Sequence, residues 1–278
     1  MAVSAPNAPM AYVALEAGSE PLSHVTSVLC LLAPRMLVTA GFNSEGVVQA
    51  MRCSGYDVSK PVWSAEFFEK AFLNEPLLAD PSLVKVVTIA DDRVMAVPES
   101  AYEPEQVVPW MQSVYFLLPD EDVLVQPIGD STINVAGVWP SGIKTIAERY
   151  FGDVYALPLA AALMGGSEAA NTVLRVALTG SLVTGALFVG DKLHWLGTIP
   201  YETAEDIAYG LHAIFRDKRI NINGITVEGG TSTSADTRVL NEVMAYFPEA
   251  TLTTDQALHH PAWGPVLFLM RRLWSCVL

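Results

Sequence analysis

From residue 173 to the C-terminus, hydrophobic pattern and turn signals define one element order: three strands, a helix, a strand, a helix, a short strand and a helix. Val173 to Thr179 is apolar and β-branched, Gly180-Ser181 is a two-residue turn, and Leu182 to Val189 continues in the same style, which reads as a hairpin. Gly190-Asp191 turns the chain again. A third strand, Leu193 to Ile199, ends at Pro200, whose missing N–H keeps it out of a ladder interior. Thr203 with Asp206 three residues on forms a capping box, and Ile207, Leu211, Ile214 and Phe215 recur at helical spacing before Arg216, Lys218 and Arg219, which complement a helix C-terminus. Ile225 to Glu228 then runs as a strand into Gly229-Gly230. Val239, Leu240, Val243, Met244 and Phe247 form a helical stripe, Ala250 to Thr254 a short strand, and Trp263 to Trp274 a final apolar stripe expected to cover the sheet.

This is the order of a ribonuclease-H-like unit, and a chain about twice that length is expected to hold two copies facing one another across a cleft. The first half reads as an eroded counterpart. Ala11 to Glu16 and Val25 to Leu32 are expected to pair as strands, with Met36 to Ala40 as a third. Helices near 64–73, 103–113 and 142–151 alternate with strands near 84–90, 94–97, 123–126 and 133–138, followed by a strand at 154–157 and a helix at 159–164. The small residues Gly165-Gly166-Ser167 place a boundary before the second meander. The fold class expected is therefore α/β with mixed sheets, as duplicated ribonuclease-H-like domains at 11–168 and 169–278.

With 16 Lys and Arg against 30 Asp and Glu, the net charge of −14 repels phosphate backbones and anionic lipid; nucleic acid is excluded as a direct ligand. No apolar stretch approaches the ~20 residues of a spanning helix. Met1 to Met10 has no basic residue and no long apolar core, so it reads as a loose tail rather than a secretory signal, and the location expected is cytoplasmic. Cys30, Cys53 and Cys276 are widely spaced and read as reduced thiols; His259-His260 has no cluster to complete a metal site.

The runs LHWLGTIPYETAEDIAYGLHAIF (193–215), VYALP (154–158) and ITVEGG (225–230), with the ending HHPAWGPVLFLMRRLW, resemble an uncharacterised family of Bacteroidetes proteins with the actin-like ATPase fold, that of actins, sugar kinases and chaperone ATPases. The resemblance implies fold; the family carries no assigned reaction. In active members of that fold a D-x-G-[ST] turn joins the first two strands of each domain, its carboxylate positioning magnesium and its backbone donors holding phosphate, while a Gly-Gly turn approaches the adenosine. The candidate positions are Glu16-Ala17-Gly18-Ser19 in the first domain, Gly180 and Ser181 in the second, and Gly229-Gly230 for the adenosine turn. In the second turn Leu178 stands where the carboxylate belongs, so magnesium would lack an anchor there.

Other polar groups read as structural. Glu202, Glu205 and Asp206 sit at a helix start, where the macrodipole favours negative charge. Asp91-Asp92 looks like a hairpin turn and Asp120-Glu121-Asp122 an acidic loop, both solvated. Ser141 and Ser167 lack the setting of a nucleophile. The function expected is that of a degenerate actin-like protein acting as a cytoplasmic interaction module, without catalysis or cofactor. The alternative is an ATPase or small-molecule kinase using ATP and magnesium in the interdomain cleft. The high apolar fraction, 51%, points to a protein partner or a homodimer as the place where surface is buried.

Overall fold

The computed structural model describes residues 13–14, 24–56, 60–129, 132–152, 155–165, 172–253 and 264–276. In chain order the first half comprises β1 (Val13–Ala14), β2 (Ser27–Ala33), β3 (Met36–Phe42), β4 (Val48–Gly55), α1 (Ala65–Leu73), α2 (Pro76–Ala79), β5 (Val84–Ile89), β6 (Met95–Pro98), α3 (Pro104–Val114), β7 (Asp122–Pro127), β8 (Ile133–Trp139), α4 (Ile143–Phe151), β9 (Tyr155–Pro158) and α5 (Leu159–Ala162). The second half comprises β10 (Thr172–Thr179), β11 (Leu182–Val189), β12 (Lys192–Pro200), α6 (Ala204–Lys218), β13 (Thr226–Thr231), α7 (Ser234–Met244), β14 (Thr251–Thr253) and α8 (Gly264–Ser275).

Two sheets repeat one topology. The first runs β1-β4-β3-β2-β5-β9 and the second β12-β11-β10-β13-β14. In each, an antiparallel meander is followed by two parallel strands. β2 is the central strand of its sheet, with every residue buried, and its unbroken apolar run reflects cover on both faces. Helices α1 and α4 pack on the outer face of the first sheet and α6 and α7 on that of the second. Between the sheets lies a shared core in which Leu29, Val38 and Phe42 meet Ala177, Ala186 and the α8 residues Val266, Met270 and Leu273. Helix α8 therefore covers both sheets, where the sequence pattern pointed to one. Trp274 stacks on Phe42 at 6.0 Å and its indole N–H donates to Ser27 Oγ at 3.2 Å. The expected boundary between 168 and 169 lies outside the described residues, as do His259, His260, Trp263 and Ser167.

Two features of the first half differ from the sequence reading. β1 pairs with β4, not with β2. The strand β4 is not legible in the sequence because Gln49, Arg52 and Ser54 interrupt its apolar pattern. Nor is Asp91-Asp92 a solvated hairpin turn: β5 and β6 belong to different sheets, the latter to a separate sheet β6-β8-β7. At this corner Arg93 grips two carboxylates, Asp91 through Nε at 2.7 Å and Nη2 at 3.0 Å, and Glu121 through Nη1 at 2.6 Å and Nη2 at 2.9 Å. Both acid side chains are buried, at 3% and 5% exposure. Forked pairing of this kind lets acidic loops enter an interior. The Asp92 carbonyl accepts the Thr198 hydroxyl of β12 at 2.9 Å, tying the corner to the second sheet.

Helix α2 is started by Pro76 and by Glu75, whose carboxylate accepts the Leu77 N–H at 3.3 Å and the Thr39 hydroxyl at 2.8 Å. Burial pushes the Glu75 carboxyl up to about 7 from 4.5. An acid whose folded-state pKa is raised holds its proton more tightly folded than unfolded, so stability falls as pH rises between those two values. Denaturant titrations of the native protein should therefore lose about 2.5 kcal/mol between pH 4.5 and pH 7 through this residue. Glu75→Gln should remove that slope; an unchanged slope would place the proton elsewhere.

Candidate functional site

The ladder registers fix which turns correspond. In the second sheet Thr179 pairs with Leu182, so Gly180-Ser181 is a two-residue turn as the sequence indicated. In the first sheet Ala33 pairs with Met36, so the equivalent turn is Pro34-Arg35. That turn, and not Glu16-Ala17-Gly18-Ser19, joins the first two strands of the meander. Glu16, Gly18 and Ser19 lie outside the described residues. Arg35 takes φ 61°, and Gly180 takes φ 72°; proline presets the turn before Arg35, while glycine supplies positive φ without a Cβ penalty. Counting back two residues from the start of each turn gives Leu32 and Leu178. Both are buried, in the outer cores of their own domains. Neither can anchor a metal ion or its waters, and among the described residues no group of three or more His, Cys, Asp or Glu stands together as a ligand set.

The two turns meet. A Cβ at Gly180 would stand 3.8 Å from Met36 Cε and 4.0 Å from the Pro34 carbonyl oxygen. Met36 Sδ also lies 3.7 Å from Ser232 Oγ, and Ser232 is fully buried. A thioether from the first domain thus fills the space between the turns, and methionine suits an irregular gap of this kind.

Behind the turns sits Asp236, near the start of α7. Its carboxylate accepts four donors: Gly180 N–H at 3.2 Å, Tyr201 Oη at 3.2 Å, Ser232 Oγ at 2.6 Å and Thr233 Oγ1 at 2.8 Å. Thr233 caps the helix by accepting from Asp236 N. Burial raises the Asp236 carboxyl above its ordinary value, and these hydrogen bonds oppose the rise. The donors converging on the second-domain turn are held by the protein's own carboxylate. Sequence inspection had a signal for this residue in the spacing Thr233-x-x-Asp236, identical to Thr203-x-x-Asp206, but burial distinguishes them. The Thr203 and Asp206 box forms as expected at the exposed start of α6.

Gly229 and Gly230 are interior to β13 rather than at a turn. A Cβ on Gly229 would reach within 2.7 Å of Leu240 Cδ2, and one on Gly230 within 2.9 Å of Leu269 Cβ. Close packing of α7 on one face and α8 on the other accounts for both glycines. Their neighbour Glu228 accepts from Arg175 Nε at 2.9 Å and Arg272 Nη1 at 2.6 Å. Arg175 Nη1 donates onward to the Leu163 carbonyl at 3.0 Å, and Arg272 Nη2 to the Gly165 carbonyl at 3.0 Å. The network therefore joins β10, β13 and α8 to the end of α5. Burial, then the like charge of Arg272, lowers the Arg175 pKa, with Glu228 opposing. Residue spacing carries no sign of this ionic network, whose members lie tens of residues apart.

The thiols of Cys30, Cys53 and Cys276 are free, and burial pushes the first two up to about 12, which leaves little thiolate for chemistry. No helix among the described residues is long and apolar enough to cross a membrane.

Comparison with known proteins agrees with the topology. A crystal structure from Bacteroides thetaiotaomicron, described as a protein with actin-like ATPase fold and unknown function, superposes with a TM-score of 0.74 at 12% identity, over 91% of this chain and 97% of that one. The PilM-PilN type IV pilus biogenesis complex contains a chain that superposes with a TM-score of 0.55 at 12% identity, over 92% of this chain and 99% of that one. No curated protein matches the sequence. The family described as "Protein of unknown function (DUF3822)" matches residues 31–250. With that match over most of its length and two meander-led sheets of one topology, the chain belongs to the DUF3822 family and has the actin-like ATPase fold.

Proposed function

We propose that the protein is a catalytically silent member of the actin-like ATPase fold that works in the cytoplasm as a protein-interaction module. The observation that carries this reading is the closed junction. Leu32 and Leu178 stand in place of the two motif carboxylates, and Met36 packs between the turns. Phosphoryl transfer depends on metal and donors arranged around the transferred group; the junction instead directs its donors to Asp236. Three free thiols suit a reducing compartment, and the net charge of −14 disfavours nucleic acid and acidic lipid as partners. The similarity in fold to a chain of the PilM-PilN complex supports work through protein contacts.

The test is ATP binding and turnover with and without magnesium. Expected are no magnesium-dependent binding and a phosphate release indistinguishable from buffer. Turnover at an ordinary enzymatic rate, about one per second or more, would instead establish an ATPase or kinase.

A further inference from the structure

We propose that the exposed side of segment 94–129, at Phe116, forms a docking surface of the molecule, and that its occupant is a basic segment of a partner protein anchored by apolar side chains. The proposal rests on the interaction-module reading and adds to it the face and the partner's chemistry. Segment 94–129 contains six Asp and Glu and no Lys, Arg or His; Glu121 and Asp122 pair with Arg93 and Lys144 at its borders, and Glu99, Glu103, Glu105 and Asp120 stand exposed. The insert also presents apolar side chains to solvent. Val114, Phe116 and Leu118 are 62%, 82% and 42% exposed.

Their exposure follows from the local backbone. In extended chain, successive side chains point to opposite sides. Tyr115 and Leu117 turn inward onto the small core of Val97, Val107 and Met111, leaving Phe116 and Leu118 to point outward. The run is also held in place. Arg93 Nη1 donates to the Phe116 carbonyl at 3.3 Å, the Leu118 N–H donates to Glu121 Oε2 at 2.8 Å, and the Tyr115 hydroxyl donates to the Val94 carbonyl at 2.8 Å. The buried Arg93 pair with Asp91 and Glu121 thereby acquires a second consequence: it presents Phe116 on a fixed backbone, which lowers the ordering cost of binding.

Charge selects the occupant. Helix α3 begins with exposed Glu103 and Glu105, Glu99 precedes it, and exposed Asp120 follows the apolar run. Exposed carboxylates on the insert that carries Phe116 attract Lys and Arg. They repel the same face of a second copy, because a two-fold contact would set acid against acid, and they repel anionic lipid.

The probe is a peptide array in which an apolar Leu/Phe/Trp core is constant and the flanks are Lys/Arg, Ser or Glu. The full-length protein should bind the Lys/Arg-flanked set selectively. Phe116→Ser, a change at an exposed side chain that should leave the circular dichroism spectrum unchanged, should weaken binding about tenfold or more. Raising salt from about 0.1 M to about 0.5 M should weaken it likewise. Equal binding to Glu- or Ser-flanked peptides, or no binding by any Lys/Arg-flanked peptide, would overturn the proposal. Binding insensitive to Phe116→Ser would overturn this surface while leaving the interaction-module reading in place, whereas ATP turnover would remove that reading. A dimer in sedimentation that becomes monomeric on Phe116→Ser would make a second copy the occupant and overturn the basic partner.

Discussion

Glu228→Ala should be among the most destabilising single substitutions in this protein, costing about 3–5 kcal/mol and lowering Tm by roughly 10 °C. Removing the carboxylate takes away the acceptor that Arg175 and Arg272 share and leaves the repulsion between the two cations in place. The side chain of Arg175 is only 3% exposed, so water cannot replace Glu228. Breaking one partner of a buried pair exposes the full desolvation cost of the other, which is why the effect far exceeds the value of an ordinary surface pair. The internal control is Glu66→Ala, which removes the exposed Lys60 contact at 3.5 Å and should change stability by less than about 0.5 kcal/mol. Guanidinium unfolding of both variants provides the measurement. If they lie within about 1 kcal/mol of one another, the network does not hold α5, α8 and the second sheet together in the way described.

Asp236→Ala is expected to cost about 2–4 kcal/mol. Four donors lose their shared acceptor, and one of them, the Ser232 hydroxyl, is completely buried beside the Met36 sulfur, a weak acceptor 3.7 Å away. Asp206 offers a matched comparison at the same position of a Thr-x-x-Asp box. Its partners Glu202 N–H and Thr203 N–H are exposed, so Asp206→Ala should cost only about 1 kcal/mol. Equal losses for the two variants would mean that Asp236 is an ordinary cap and that the junction does not depend on it.

The comparison of these two aspartates also marks how far the sequence could be read. Thr203 and Asp206 act within one helical turn, so spacing alone identifies them. The same locality made the β10-Gly180-Ser181-β11 hairpin and the helical stripe of Ile207, Leu211 and Phe215 legible, and with them the element order of the second half. In the first half, the equivalent turn is not legible, because a hairpin is defined by its partner strands. Once Ala33 pairs with Met36, Pro34-Arg35 becomes the turn, yet nothing in those residues resembles D-x-G-[ST]. Resemblance to the motif lies instead at Glu16, Gly18 and Ser19.

The local elements of the second half, the charge of −14, the concentration of acid in segment 94–143 and the missing carboxylate at Leu178 are legible in the amino-acid sequence alone. Each follows from residue identity and short spacing. Tertiary structure alone decided that Asp91 and Glu121 are buried under Arg93, that Gly229 and Gly230 exist to admit Leu240 and Leu269, and that Met36 closes the junction. The physical reason is the same in each case. Burial and ion pairing depend on which distant segments arrive at one place, and the Arg93–Glu121, Arg175–Glu228 and Met36–Ser232 contacts span 28, 53 and 196 residues, far beyond the reach of any periodicity.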